Sequence, residues 1–228
     1  MNNPVQTYKT LFNIAVISGS IMLMLIPIQI FIFASWPPPT TTQGFFDLYN
    51  QNPLLGLLSL DFLYIINNVL IVPLYLAIAI TLKNHSRVLL PLALILGFIG
   101  IAAYYPTNPA FEFLVLAPKY ALAPNADKVV FLAAGETLLA NYIGTAFNVY
   151  YVLNAFTLIS LSVLMLKSRL YTKTTSIIGL TSGIFMIIPS TAGIVGLVFS
   201  LLSLIPWIFF VALLINQYRK TDFQVKFL

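Results

Sequence analysis

Long apolar runs separated by short polar breaks dominate the chain. About 20 apolar residues in helical form cross a hydrocarbon core roughly 30 Å thick. Residues 11–35 make the first such run, with Pro27 inside it. Residues 55–82 make the second, interrupted by Asp61, Asn67 and Asn68. Residues 88–105 and 138–166 follow, the latter carrying asparagines and no charge. The last stretch is long enough for two passes. Pro189-Ser190-Thr191 and the nearby Gly193 mark a turn that divides it into 172–188 and 192–216. A re-entrant hairpin over the same residues stays open as the alternative. The pattern predicts an all-α fold, a polytopic membrane helical bundle of six transmembrane helices, with residues 1–228 as a single membrane domain.

Two segments fall between the runs. Residues 106–137 form an external amphipathic segment that mixes Phe111, Phe113, Leu114, Val115 and Leu116 with Pro118 and Pro124. A short interfacial helix, a proline break and a second helix are expected there. The second helix starts near Asn125 or Asp127, either of which can cap it. It is expected to run straight into the fourth span. From Asp127 to Leu166 that is about 60 Å of helix, which must project above the membrane or tilt. An outer lid and a passive amphipathic helix are both open readings. Trp36–Pro53, led by Pro37-Pro38-Pro39, is expected to be extended and external.

Composition narrows the class. Of the 228 residues, 60% are apolar and 7% charged, against about 25% charged in a soluble domain. Soluble and disordered classes are excluded. Charge then orients the bundle. Lys9, Lys83, Arg87, Lys167, Arg169, Lys173, Arg219, Lys220 and Lys226 fall on one side of a six-pass arrangement. Lys119 and Lys128 fall on the other, with Asp47, Glu112, Asp127 and Glu136. The positive-inside rule makes both termini cytoplasmic, and the protein a multi-pass component of the cell membrane. The first run is too long for a cleaved signal peptide and no A-x-A site follows it, so an uncleaved first helix is expected.

The available chemistry is sparse. There is no cysteine, and His85 is the single histidine. No metal site, haem or other cofactor is expected, and no catalytic residue is assigned. The pI near 9.4 reflects membrane orientation rather than nucleic-acid binding, because the basic residues flank apolar runs. The tail Arg219–Leu228 mixes basic and apolar residues and suits anionic lipid at the cytoplasmic face. A small-molecule ligand and a protein partner are both left unidentified.

Polar side chains inside the runs carry the remaining information, since each is costly in lipid unless partnered. On a helix of 3.6 residues per turn, Asp61, Tyr64, Asn68 and Tyr75 share one stripe of the second span. Thr137, Asn141, Gly144, Thr145, Asn148 and Tyr151 share a stripe of the fourth. An outward-facing polar pocket between the second and fourth helices is expected, lined by Asp61, Tyr64, Asn68, Glu136, Asn141, Thr145, Asn148 and Tyr151. An interhelical hydrogen-bond clamp with no cavity is the competing arrangement. Gly179 and Gly183, with Gly193, Gly196, Ser200 and Ser203, give small faces suited to a tight intramolecular hairpin, or to homodimerisation.

Three elements carry a family likeness. They are Asp61–Asn68 followed by Pro73-Leu74-Tyr75; Asn108–Glu112; and Ala133–Glu136 with Gly144–Phe147 and Tyr150–Leu153. Together, over residues 10–218, they resemble an uncharacterised prokaryotic family of small multi-pass integral membrane proteins, a domain-of-unknown-function family. The resemblance implies a helical bundle of bacterial or archaeal origin and brings no substrate, cofactor or catalytic residue.

The leading functional expectation is binding or transport of a small solute through the polar pocket, with Asp61 and Glu136 as proton or cation sites. A non-catalytic structural or partner subunit of a membrane complex is the alternative. A membrane-embedded lipid-modifying enzyme ranks below both, since Thr145 and Tyr151 lack a histidine, lysine or cysteine partner.

Overall fold

A computed structural model describes residues 4–220 and Phe223. Among the described residues every regular element is helical. In chain order they are α1 (Pro4–Ser35), α2 (Thr42–Gln51), α3 (Pro53–Ser59), α4 (Phe62–Leu82), α5 (Leu89–Tyr104), α6 (Ala110–Leu122), α7 (Asn125–Tyr142), α8 (Thr145–Ser168), α9 (Lys173–Phe185) and α10 (Gly193–Tyr218). A 3-10 turn, Tyr105–Thr107, follows α5. Most of the tail expected to lie on lipid, including Lys226, is outside the described residues.

Among the described residues, five stretches are long and apolar enough to cross a membrane: Tyr8–Ser35, Phe62–Leu82, Leu89–Leu122, Asn125–Ser168 and Gly193–Tyr218. Two of them join a pair of helices each. The helix α9 has 13 residues, about 20 Å at 1.5 Å per residue, and falls short of a bilayer core.

Local chemistry explains where the helices start and stop. The stretch expected to be extended after Pro39 is helical from Thr42. Thr41 accepts from the amide of Gly44 and so caps α2. Asn52 caps α3 in the same way through the amide of Leu55, with Pro53 as the first helical residue. The second apolar run is not one continuous helix. It breaks at Leu60–Asp61, where Asp61 takes φ 57° and its carbonyl accepts from the amides of Tyr64 and Ile65. The helix expected from Asp127 to Leu166 is also divided, since α7 ends at Tyr142 and α8 opens at Thr145.

The chain forms two compact units. One comprises residues up to Met24, Asn68–Ala102 and the chain from Val149 onward. Its core contains Phe12, Ala15, Met22, Leu74, Ile78, Leu158, Leu161, Met165, Phe210 and Leu214. Gly97 and Gly100 let α5 come close to its neighbours. A Cβ on Gly97 would meet Thr157 and Tyr75, and one on Gly100 would meet Asn154 and the carbonyl of Tyr150. The helices α9 and α10 form a hairpin within this unit. Ser182 donates to the carbonyl of Ser203 at 3.0 Å, and Gly179 leaves room for the ring of Phe210. The small residues singled out in the sequence thus serve, in part, as the floor of an intramolecular contact. At the α8–α9 turn, Tyr171 bonds Thr81 at 2.7 Å and Tyr218 at 3.1 Å.

The other unit comprises Leu25–Asn67 and Ala103–Asn148. Its core is aromatic. Phe45, Phe46 and Tyr49 of α2 pack against Phe113 and Tyr120 of α6, with ring centroids 4.8–5.9 Å apart. Tyr49 donates to the carbonyl of Ala110 at 2.9 Å, and Asn50 to that of Ala117 at 3.0 Å. These bonds tie polar tips to the backbone where the rings are buried.

Candidate functional site: three helix breaks around Asp61

Three of the chain's breaks meet inside the second unit. The first is the α3–α4 corner at Leu60–Asp61, the second is the α5–α6 corner through Asn108, and the third is the α7–α8 corner at Ile143–Gly144. Each pair is joined by a side-chain hydrogen bond. Asn108 donates to the carbonyl of Leu60 at 2.7 Å. Asn141 donates to the carbonyl of Pro106 at 3.0 Å. The hydroxyl of Tyr142 donates to the carboxylate of Asp61.

Asn108 has the most partners. Its amide nitrogen also reaches the hydroxyl of Tyr104 at 3.2 Å, and its carbonyl oxygen accepts from the amide of Ala110 at 3.1 Å. Asn108, Tyr104, Thr107 and Leu60 are all buried. The α3–α4 corner is therefore held by a buried amide rather than by solvent. That support bears on Asp61, because a non-glycine residue at positive φ is disfavoured and persists only where its surroundings hold it.

Around the carboxylate the chemistry is phenolic. Tyr64, Tyr104 and Tyr142 lie within electrostatic reach of one another, and the latter two of Asp61. The rings of Tyr64 and Tyr104 meet edge to face at 5.3 Å, and Tyr104 and Phe147 lie 6.3 Å apart. Tyr104 is fully enclosed, whereas Asp61, Tyr64, Tyr142 and Phe147 are half-buried and keep some surface. Among the described residues no basic side chain pairs with Asp61. A half-buried carboxylate with one hydroxyl donor and, among the described residues, no counter-ion is costly to keep charged. The same arrangement attracts a proton or a cation. Among the described residues, no group of three or more His, Asp or Glu side chains is placed to hold a metal ion.

The eight residues singled out in the sequence are distributed as follows. Asp61 and Tyr64 belong to this centre. Asn141 is exposed and braces the α5–α6 corner. Asn148 donates to the carbonyl of Gly144 one turn back in the chain. Glu136 and Thr145 are exposed. Asn68 and Tyr151 belong to the first unit. There, Tyr150 donates to Asn68 at 3.0 Å, and Tyr151 donates to Ser200 at 2.8 Å. In the same unit Tyr75 donates to Asn154 at 3.1 Å, and Asn154 donates to the carbonyl of Tyr150 at 3.0 Å. Asn68, Tyr75, Tyr150 and Asn154 thus form buried polar links between α4 and α8, the geometry of a clamp.

Tyr104, Asn108 and Tyr142 belong to the Asp61 centre but not to the stripes read from the sequence. Tyr142 lies about 140° round α7 from Thr137, off the polar stripe on that helix's own phase. Asn108-Pro109 and Gly144 are breaker signals that could have located two of the three corners.

Comparison with family models, with curated proteins and with solved structures gave no match to this chain.

Proposed function

We propose that the chain is a multi-pass protein of a prokaryotic cell membrane that binds a small solute at the Asp61 centre and carries it across. Six passes with both termini cytoplasmic complete the reading, α9 being the shortest of the six. The charge asymmetry supports the orientation. The five long apolar helices support residence in the membrane.

One observation carries the functional part: three interruptions of otherwise apolar helices converge on one carboxylate that has no counter-ion among the described residues. Irregular backbone in a membrane protein is tolerated where protein buries it or where it lines a wet cavity. Discontinuous helices whose broken ends gather at a polar residue are a recurrent way to build a solute or ion site. A purely structural role for Asp61 would favour an uncharged residue, because a buried charge adds little stability and is costly to maintain.

The chain lacks cysteine, which makes the test direct. Single-cysteine variants at Lys83 and Lys128 should label from opposite faces of sealed vesicles. Asp61→Asn, folded and monodisperse in lipid nanodiscs, should lose the ligand-induced thermal shift that a small-solute panel produces in the wild type. It should also lose uptake of that solute in proteoliposomes. Equal shifts and equal fluxes for wild type and Asp61→Asn across the whole panel would end this reading.

A further inference from the structure

We infer that the Asp61 centre is a site for a small organic ammonium ion, with the carboxylate as counter-charge and the surrounding rings as its wall. This rests on the reading of Asp61 as a solute site and names the class of solute.

The charge and type of the side-chain groups present select the solute. Around the centre they are the carboxylate of Asp61, the hydroxyls of Tyr64, Tyr104 and Tyr142, the amide of Asn108 and the ring of Phe147. With the carboxylate ionised the formal charge is minus one, and no cation is bonded to it among the described residues. An anionic solute would face an uncompensated carboxylate. A neutral solute would leave that carboxylate with the Tyr142 hydroxyl as its donor and its charge uncompensated, which is costly in a partly buried place. A cation offsets the charge directly.

The ring content then separates the cations. A divalent metal ion needs several hard oxygen ligands, usually two or more carboxylates. Here a single carboxylate is present, and no cluster of metal-ligating side chains exists among the described residues. An alkylammonium ion instead needs one anionic acceptor for its N–H groups and an apolar or aromatic lining for its carbons. Aromatic faces attract such cations, by about 0.5–2 kcal/mol depending on desolvation. Tyr64 and Phe147 keep some surface on the same corner as the carboxylate, and the buried Tyr104 backs both, at 5.3 and 6.3 Å between ring centroids. Asp61, Tyr64, Tyr142 and Phe147 each keep some surface, so the centre borders the outside of its unit while Tyr104 and Asn108 lie behind it.

The corner also has a way to respond. Tyr142 closes α7 and holds Asp61 through one hydroxyl. An ammonium group arriving at the carboxylate shares that oxygen or takes the place of the phenol. In either case the link between the α7–α8 and α3–α4 corners changes when the site fills.

The test uses the full chain in nanodiscs, with n-butylammonium chloride, n-butanol and sodium chloride as probes at matched concentration and ionic strength. Thermal unfolding and the near-ultraviolet tyrosine difference spectrum are the readouts. Butylammonium should bind saturably, perturb the tyrosine spectrum and do so at least tenfold more tightly than butanol. Asp61→Asn should weaken butylammonium at least tenfold, and Tyr142→Phe should reduce the spectral change while binding persists. The comparison of the three probes needs no variant, so it holds even if Asp61→Asn fails to fold. Equal binding of butanol and butylammonium, or a response to sodium with none to butylammonium, overturns the ammonium assignment. If butylammonium fails but another solute's response is lost in Asp61→Asn, this inference falls and the solute-site reading stands. If Asp61→Asn alters no solute's response, both fall.

Discussion

Gly100→Ala offers a sharp test of how the first unit is packed. A Cβ at Gly100 would lie 2.6 Å from the amide nitrogen of Asn154, and 3.2 Å from both the Cβ of Leu153 and the carbonyl oxygen of Tyr150. The first of these separations is untenable, so the Asn154 side chain must move. That side chain accepts from Tyr75 at 3.1 Å and donates to Tyr150 at 3.0 Å, and both bonds are disturbed together. Interhelical hydrogen bonds in membrane proteins average about 0.6 kcal/mol each and reach roughly 1.7. Overpacking a close contact typically costs about 1–3 kcal/mol. The gain in helix propensity on replacing Gly by Ala offsets about 1 kcal/mol. The net expectation is a loss of about 1–3 kcal/mol. Asn154→Ala removes the atom at 2.6 Å and leaves only the two contacts at 3.2 Å, which a shift of a few tenths of an ångström relieves. In that background Gly100→Ala should be close to neutral, or stabilising by up to about 1 kcal/mol. The coupling between the two sites should therefore exceed about 1 kcal/mol, above the scatter seen for independent positions. Reversible unfolding in mixed micelles, run on the wild type, both single variants and the double variant, measures it. An identical effect of Gly100→Ala in both backgrounds, or a gain in the wild type, would refute the close approach of α5 and α8 at this point.

Two further expectations concern other parts of the structure. Tyr150→Phe removes the donor to Asn68, whose own amide nitrogen is already without a partner, and should destabilise by about 0.6–1.7 kcal/mol in the same unfolding assay; no change would mean that the α4–α8 clamp is not closed in the membrane. Alkaline pH should also destabilise the fold. Burial raises the pKa of both Tyr49 and Tyr171 above the ordinary 10.0; the charge of Glu112 adds to the rise at Tyr49, while bonds to Thr81 and Tyr218 partly offset it at Tyr171. The unfolded chain therefore releases these protons first, and the stability present below about pH 10 declines as pH rises beyond it. Unfolding midpoints measured from about pH 8 to 11 should fall, with a shallower fall in Tyr171→Phe; parallel curves would contradict the burial of that phenol.

What the sequence made legible, and what it hid, follows from two kinds of physical signal. Hydropathy is a sum over many residues and survives local irregularity, so the apolar runs were correctly read as helices. Angular position on a helix is a running phase, and one break resets it. The stripe through Asp61, Tyr64, Asn68 and Tyr75 assumed helix on both sides of Asp61, yet Asp61 sits at a left-handed corner and only Phe62 onward is helical. Tyr64, Asn68 and Tyr75 lie within α4 and keep their common phase. The stripe from Thr137 to Tyr151 crossed Ile143–Gly144, where α7 gives way to α8, and so mixed two phases. The break puts the exposed Thr145 on the stripe only by a phase carried from another helix, whereas Tyr142, the direct partner of Asp61, lies off it within α7 itself, about 140° round from Thr137. Asn108 was hidden for a different reason. Its value lies in a bond to the carbonyl of Leu60, 48 positions away, and no local pattern encodes that distance. The same physics argues for the centre itself. Where a helix in an apolar setting is broken, freed backbone groups must find partners nearby. Breaks placed together can satisfy one another, as Asn108 does for Leu60 and Asn141 for Pro106. Those two bonds need no carboxylate, and the third link, from Tyr142, needs only an acceptor oxygen. The charge that Asp61 brings to their meeting point is what stabilising the backbone does not explain.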